Sequence, residues 1–264
     1  FNSFAFDLLL GLGADVNKKS ADGRTALFFV GKNTHYVESL LQARATVDIQ
    51  DQNGVTPLML AIDGKNQQVV DLLLQAGPDV NAISDHHGTA LVHAVTSANF
   101  DLVKKLLMLG AEKTINWSSS ESPTASSPPS APALYMAVAV SQALAWNQAE
   151  IVELLLDYGA DANLGYQDMS SLMLACKKSV SDIAKKLIEA GAEVNYKNQQ
   201  GWSALLVAIK KEHAFLVSLL LKHGAKPNET DAQGNNSLFI LYQTGGQYYN
   251  REIEKMLLKY GANK

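Results

Sequence analysis

Between Asp51 and Asn81 the apolar positions recur with a helical period in two separate clusters. Leu58, Ala61 and Ile62 fall on one face of a short helix, and Val69, Val70, Leu72, Leu73 and Leu74 give a second helix a wide apolar side. The residues around these clusters mark their ends. Gly54 permits a tight turn between two extended residues. Thr56 offers its hydroxyl to a free backbone N–H, and Pro57 suits the first helical position because it has no N–H to leave unpaired. Gly77 closes the second helix, since a left-handed cap carries no side-chain penalty for glycine. Neither helix is long enough to bury its own apolar face, so the pattern predicts a unit that packs against a neighbour.

The chain supplies such neighbours by repeating itself. The closing glycine recurs as Gly13, Gly77, Gly110, Gly159, Gly191, Gly224 and Gly261, with Arg44 in the same slot once. The intervals 44 to 77, 77 to 110 and 191 to 224 are each 33 residues. The capping position runs Thr25, Thr56, Thr89, Pro132, Ser170, Ser203, Asn236. A 33-residue period that carries Thr-Pro-Leu-x-x-Ala and Leu-Leu-Leu-x-x-Gly-Ala is the mark of stacked helix pairs. On these motifs the chain resembles the ankyrin-repeat family over nearly its whole length. The resemblance implies an all-α solenoid of antiparallel helix pairs joined by short β-hairpin-like loops. It divides a single domain, 1–264, into a truncated first repeat (1–19), repeats at 20–50, 51–83 and 84–112, a Ser/Pro-rich insert (113–131), and repeats at 132–164, 165–197, 198–230 and 231–264.

Several copies depart from the pattern. Residues 1–19 supply only an outer helix, bearing Phe4 and Phe6 close behind Phe1, so a piece of a longer protein lacking an N-terminal element is expected. The copy at 20–50 is two residues shorter than the next, and Arg44 in a left-handed cap costs it roughly 1 kcal/mol. At His87-Gly88-Thr89 the turn glycine has moved one place. The copy that starts at Pro132 has six extra residues between its landmarks, which predicts a longer first helix or connection. The last copy carries an insertion around Thr244 to Tyr249.

Composition and charge narrow the function. Apolar residues make up 47% of the 264, enough for a continuous core. A net charge of −4 argues against wholesale binding to nucleic acid or an anionic membrane. No apolar run approaches the ~18 residues that span a bilayer. A lone Cys176 leaves no internal disulfide framework and suits a reducing compartment, so a cytoplasmic location is expected, with the nucleus as the secondary alternative. No phosphate-cradling glycine motif occurs, and no cofactor is expected. Cys176 stands where the repeat wants a small inner-helix residue and reads as core. His93 reads as a satisfied polar contact, and His223 as a helix-ending residue. His86 and His87 sit at a hairpin tip without further ligands at metal spacing, so no metal is expected. Asn116, Asn228 and Asn235 open glycosylation sequons, but asparagine is common in these hairpins. In the insert, Ser122 and Ser127 each precede proline and are the candidate phosphorylation sites; Pro129-Ser130-Ala131-Pro132 resembles a budding-adaptor tetrapeptide.

The resemblance implies a non-catalytic, monomeric protein-binding module that engages its partner with hairpin tips and the concave inner-helix face. In the two most regular repeats the variable positions hold Tyr166, Gln167, Met169, Lys177 and Lys178, then Gln199, Gln200, Trp202, Lys210 and Lys211. Trp and Tyr dominate binding hot spots, and a block of lysines suits an acidic protein partner. Two other readings compete: the substrate-recruiting arm of an enzyme whose catalytic domain lies outside these residues, and a small-ligand (nucleotide) sensor, against which the missing phosphate motif counts. The insert yields a prediction of its own. Its serines and prolines pack no core, and loop length alone costs little, so replacing 118–130 by a short Gly/Ser linker should leave stability within about 1 kcal/mol in denaturant titration. Collapse of the downstream repeats would show that the insert packs.

Overall fold

The computed structural model describes residues 3–84, 88–116, 132–140, 146–245 and 250–263. The chain divides into two compact units, Phe1–Ala131 and Pro132–Lys264. The candidate sites Ser122 and Ser127, the tip histidines His86 and His87, residues 141–145 of the copy expected to be six residues longer, and 246–249 lie outside the described residues.

In the first unit, α1 (Ser3–Gly11) is followed by a 3-10 turn (Ala26–Phe28) and α2 (Thr34–Gln42). Then come α3 (Pro57–Asp63), α4 (Gln67–Gln75), the paired segments β1 (Ile83–Ser84) and β2 (Gly88–Thr89), α5 (Ala90–Thr96), α6 (Phe100–Met108) and a second 3-10 turn (Ala111–Thr114). The inner elements stack in a row, with α3 between the first 3-10 turn and α5, while α2 packs on α4. Leu58, Met59, Leu73, Leu91, Leu106 and Leu107 fill the space between them and are fully buried.

The second unit repeats the plan more regularly. It runs α7 (Ala133–Val140), α8 (Trp146–Asp157), β3 (Gly165–Tyr166), β4 (Met169–Ser170), α9 (Ser171–Lys178), α10 (Ser181–Glu189), α11 (Ala204–Lys210), α12 (Ala214–Lys222), α13 (Ser237–Gly245) and α14 (Arg251–Lys259). The inner row is α7, α9, α11, α13; the outer row is α8, α10, α12, α14. The fold is all-α with minimal strand, as the repeat pattern predicts. Thr244 and Gly245, expected in an insertion, form the last turn of α13.

The expected caps form on the inner helices. Thr56, Thr89, Ser170 and Ser203 accept from the backbone N–H three residues on, at 3.2–3.4 Å. Thr25 does not: its hydroxyl caps nothing and is buried without a partner among the described residues. Only a single 3-10 turn follows it, in which Phe28 N–H bonds to the Thr25 carbonyl instead. The shortfall leaves a hollow of about 210 Å³ walled by Leu27, Phe28, Leu60 and Val69. This is the structural form of the weak second repeat. The outer helices carry caps that the motif search overlooked, with Asn66, Asn99 and His213 among them.

Successive repeats are joined by asparagine. Asn195 Nδ2 donates to the Gly224 carbonyl at 3.0 Å, and its Oδ1 accepts from Lys226 N–H at 3.0 Å. Asn17 does the same at Arg44 and Thr46, Asn163 at Gly191 and Glu193, and Asn228 at Gly261 and Asn263. Each clamp satisfies the carbonyl of the left-handed residue that follows a helix C-cap in the next repeat, just beyond the reach of the helix's own N–H groups. The hairpins also stack directly. Ala232 N–H donates to the Gln200 carbonyl at 2.9 Å, and a Cβ on Gly201 would lie 2.6 Å from Ala232 N. In the first unit Arg24 Nε and Nη2 each reach the buried Asp51 Oδ2 at 2.9 Å.

Asp48 occupies the clamp position in one joint. Its Oδ1 accepts from Asp79 N–H at 2.7 Å, but a carboxylate cannot donate to the Gly77 carbonyl. Asp48→Asn should therefore raise stability by about 1 kcal/mol, and Asn195→Ala should lower it by about 1–2 kcal/mol. Chemical denaturation of the three proteins checks both; an Asp48→Asn protein no more stable than the parent would show that the second arm of the clamp contributes nothing.

Candidate functional site

The hairpin between β3 and β4 turns in two residues. Gln167 and Asp168 both take the left-handed conformation, at φ 49° and 61°, and Tyr166 pairs with Met169 across the turn. Two consecutive left-handed residues give the tight turn whose twist matches its flanking strands. Asp168 points along the array, and both of its carboxylate oxygens accept from Gln199 N–H of the next hairpin, at 3.0 and 2.9 Å. In that next hairpin Asn198 Oδ1 accepts from Gln200 N–H and Trp202 N–H, at 3.1 and 2.8 Å. Asp51 and Asp231 make the same turn in their own repeats.

These turns set one side of a groove of about 410 Å³; the ends of α9 and α11 set the other. Of the residues singled out in the sequence, Met169, Lys177, Gln200, Trp202, Lys210 and Lys211 line it. Met173, Asn198 and Val207 also line it and were missed. A signal for two of them existed: Met173 and Lys177 are spaced by four, as are Val207 and Lys211, and that spacing puts side chains on one helix face. Asn198 shares with Asp51 and Asp231 the position three before the turn glycine.

The other four residues are elsewhere. Tyr166 turns to Tyr135 of α7, edge to face with ring centroids 5.6 Å apart. Burial, assisted by Tyr166, pushes the Tyr135 phenol above its ordinary range. Gln167 is exposed on the turn with its amide 3.4 Å from the Tyr166 hydroxyl. Gln199 is held through its backbone by Asp168, and Lys178 is half-buried outside the groove lining.

Within the groove, Lys210 Nζ stands 4.9 Å from the Trp202 ring centroid, in cation–π range. Lys177, Lys210 and Lys211 enter no ion pair among the described residues, and no acidic side chain lines the groove. The residues weighed for other chemistry are occupied structurally. Cys176 is fully buried, and burial pushes its thiol up to about 12, so it stays protonated and weakly nucleophilic at neutral pH. His93 is buried with Nδ1 2.6 Å from Asp63 Oδ1, a polar contact of the kind expected of it. Among the described residues no group of three His, Cys, Asp or Glu could hold a metal ion. The sequon amides of Asn228 and Asn235 are engaged, the first in its clamp and the second on Asp231. No described helix is long and apolar enough to cross a membrane.

A sequence profile described as ankyrin repeats (3 copies) matches residues 2–84, 32–116, 133–198 and 172–264. Among curated proteins none matches the sequence. Among solved structures, the human ASB11 ankyrin repeat domain superposes with a TM-score of 0.65 at 24% identity, covering 91% of this chain and 100% of that one. The ankyrin repeat domain of Bcl-3, a protein described as a unique member of the IkappaB family, gives 0.65 at 25% identity, covering 90% and 99%. Ankyrin repeats are generally protein–protein interaction modules and are typically non-catalytic. With profile matches along most of its length, and with the helix pairs, capped inner helices and left-handed closing glycines that those matches require, this chain belongs to the ankyrin-repeat family.

Proposed function

We propose that this chain is a non-catalytic recognition module that binds an acidic protein partner on the hairpin and inner-helix face of the repeats at 165–197 and 198–230. The observation that carries the reading is the groove itself. It gathers a half-buried Trp202, Met169 and three lysines that enter no ion pair among the described residues, and the fold has no need of that combination in one place. Tryptophan in a recess makes a strong anchor because it desolvates much area with few rotamers to freeze. Unpaired lysines around it speed encounter with a negative partner and disfavour a positive one. The scaffold beneath is already ordered: α9 and α11 are packed against each other, and their caps are made. Such preorganisation lowers the entropy lost on binding.

The test uses the protein partner that the chain recovers by affinity capture and compares variants on the two faces. Trp202→Ala should weaken that complex by about tenfold or more, roughly 1.4 kcal/mol, and Lys177→Glu with Lys178→Glu should weaken it further at low salt. Lys185→Glu with Lys186→Glu, on the outer helix α10, should leave it within about twofold, given unchanged circular dichroism. Equal loss from the outer-face pair would move the partner off the groove.

A further inference from the structure

We infer that the groove receives a short extended acidic segment bearing one apolar side chain, which lies on the Met169–Met173–Val207 floor beside Trp202 while carboxylates on either side of it meet Lys177, Lys210 and Lys211. The inference rests on the reading of this face as the partner surface and adds what the partner presents there.

Three observations define the occupant. First, the floor is apolar and adaptable. Two methionines and a valine line the recess along with the indole, and thioether side chains reshape around different apolar groups. At about 410 Å³ the recess suits a side chain with a few residues of backbone, within the roughly 300–1,000 Å³ of pockets that enclose small ligands.

Second, the rim is cationic without an internal counter-charge. No acidic side chain lines the groove, and Asp168 of the neighbouring turn directs both carboxylate oxygens at Gln199 N–H. Lys177 leaves the end of α9, while Lys210 and Lys211 leave the end of α11, so cations flank the floor on both helices. An apolar residue with acids on both sides fits this arrangement; an apolar residue alone would leave three ammonium groups facing it.

Third, the backbone N–H groups of the second hairpin beside the groove are already taken. Gln199, Gln200, Gly201 and Trp202 N–H groups are bonded to Asp168, Asn198 Oδ1, the Asn198 carbonyl and Asn198 Oδ1 respectively, and the Gln200 carbonyl takes Ala232 N–H. An incoming strand therefore finds no ladder to extend, and no nest of free N–H groups is open to a phosphate. Recognition falls to side chains. Lys210 has two places to be: over the indole, where it stands in the free protein, or on a carboxylate of the occupant. The swap uncovers the ring as the acid arrives, so acid and apolar side chain are read together.

The experiment is a selection of short random displayed peptides on the intact chain, followed by fluorescence anisotropy of the enriched sequences. The expected consensus is Leu, Ile, Met or Phe with Asp or Glu within two residues on each side. Amidating those acids, or binding to Trp202→Ala or Lys177→Glu, should each cost about tenfold or more, and raising salt should weaken the wild-type complex. Thermal melts certify that the variants fold, and Lys177→Glu keeps the indole and the floor intact, so the result does not depend on Trp202→Ala alone. A selection that enriches nothing, a consensus without acids, peptides that bind Trp202→Ala equally well, or a single-stranded oligonucleotide that binds through Trp202 each overturns the inference. If the captured protein partner depends on Trp202 while no peptide binds, the face reads a folded surface and only this inference fails. If that partner ignores Trp202, the reading of the face fails with it.

Discussion

The repeat-to-repeat clamp of asparagine on a helix end is the interaction on which the rest of the array depends. A helix closes with carbonyls that its own N–H groups cannot reach, and an outer helix of nine residues leaves a large share of its acceptors in that state. Asn163, Asn195 and Asn228 each take the carbonyl of the glycine that follows such an end and simultaneously fix an N–H two residues beyond it. An amide can do both because it donates and accepts; a carboxylate can do only half, which is why Asp48 marks the weaker joint in the first unit. Hydrophobic burial supplies most of the stabilisation, but it is non-directional. The clamps and the hairpin stack set how far each repeat is rotated on the last.

That rotation is what gives the groove its shape. Gly201 allows the second hairpin to lie against Ala232, and Asp168 ties the first hairpin to Gln199. Between those two constraints Trp202 is held above the floor made by Met169, Met173 and Val207. Since the backbone polar groups there are consumed by the frame, the side chains that project from it are free to differ without unfolding it. A surface of this kind binds by shape and charge, and the buried faces of the inner helices, away from the groove, contribute only inert packing, Cys176 included.

The two units use the same rules with different success. In the second unit α9, α11 and α13 are capped by Ser170, Ser203 and Asn236, the inner helices stack in one row, and the outer row is continuous. In the first, the inner element after Thr25 shrinks to one 3-10 turn and leaves a hollow, and α1 rests on α2 by little more than Phe6 on Tyr36, 4.4 Å between centroids, and Asp7 on His35 at 3.0 Å. Phe4 remains 73% exposed and Leu12 75%.

The 33-residue spacing, the Thr and Ser caps and the closing glycines determined the helix pairs and their order from the sequence alone, because each signal is local: a cap acts within three residues and a glycine on its own φ. The same locality placed Met169, Lys177, Trp202, Lys210 and Lys211 at corresponding points of two neighbouring repeats. The tertiary structure alone decided which of the chosen residues share a surface. Tyr166 left the groove because Tyr135, thirty-one positions earlier, offers an edge-to-face partner. Lys210 settled on Trp202, and Met173, although 1% exposed, became part of the floor. Such contacts depend on rotamers and on the rotation between repeats, and neither is written in the spacing of residues along one chain.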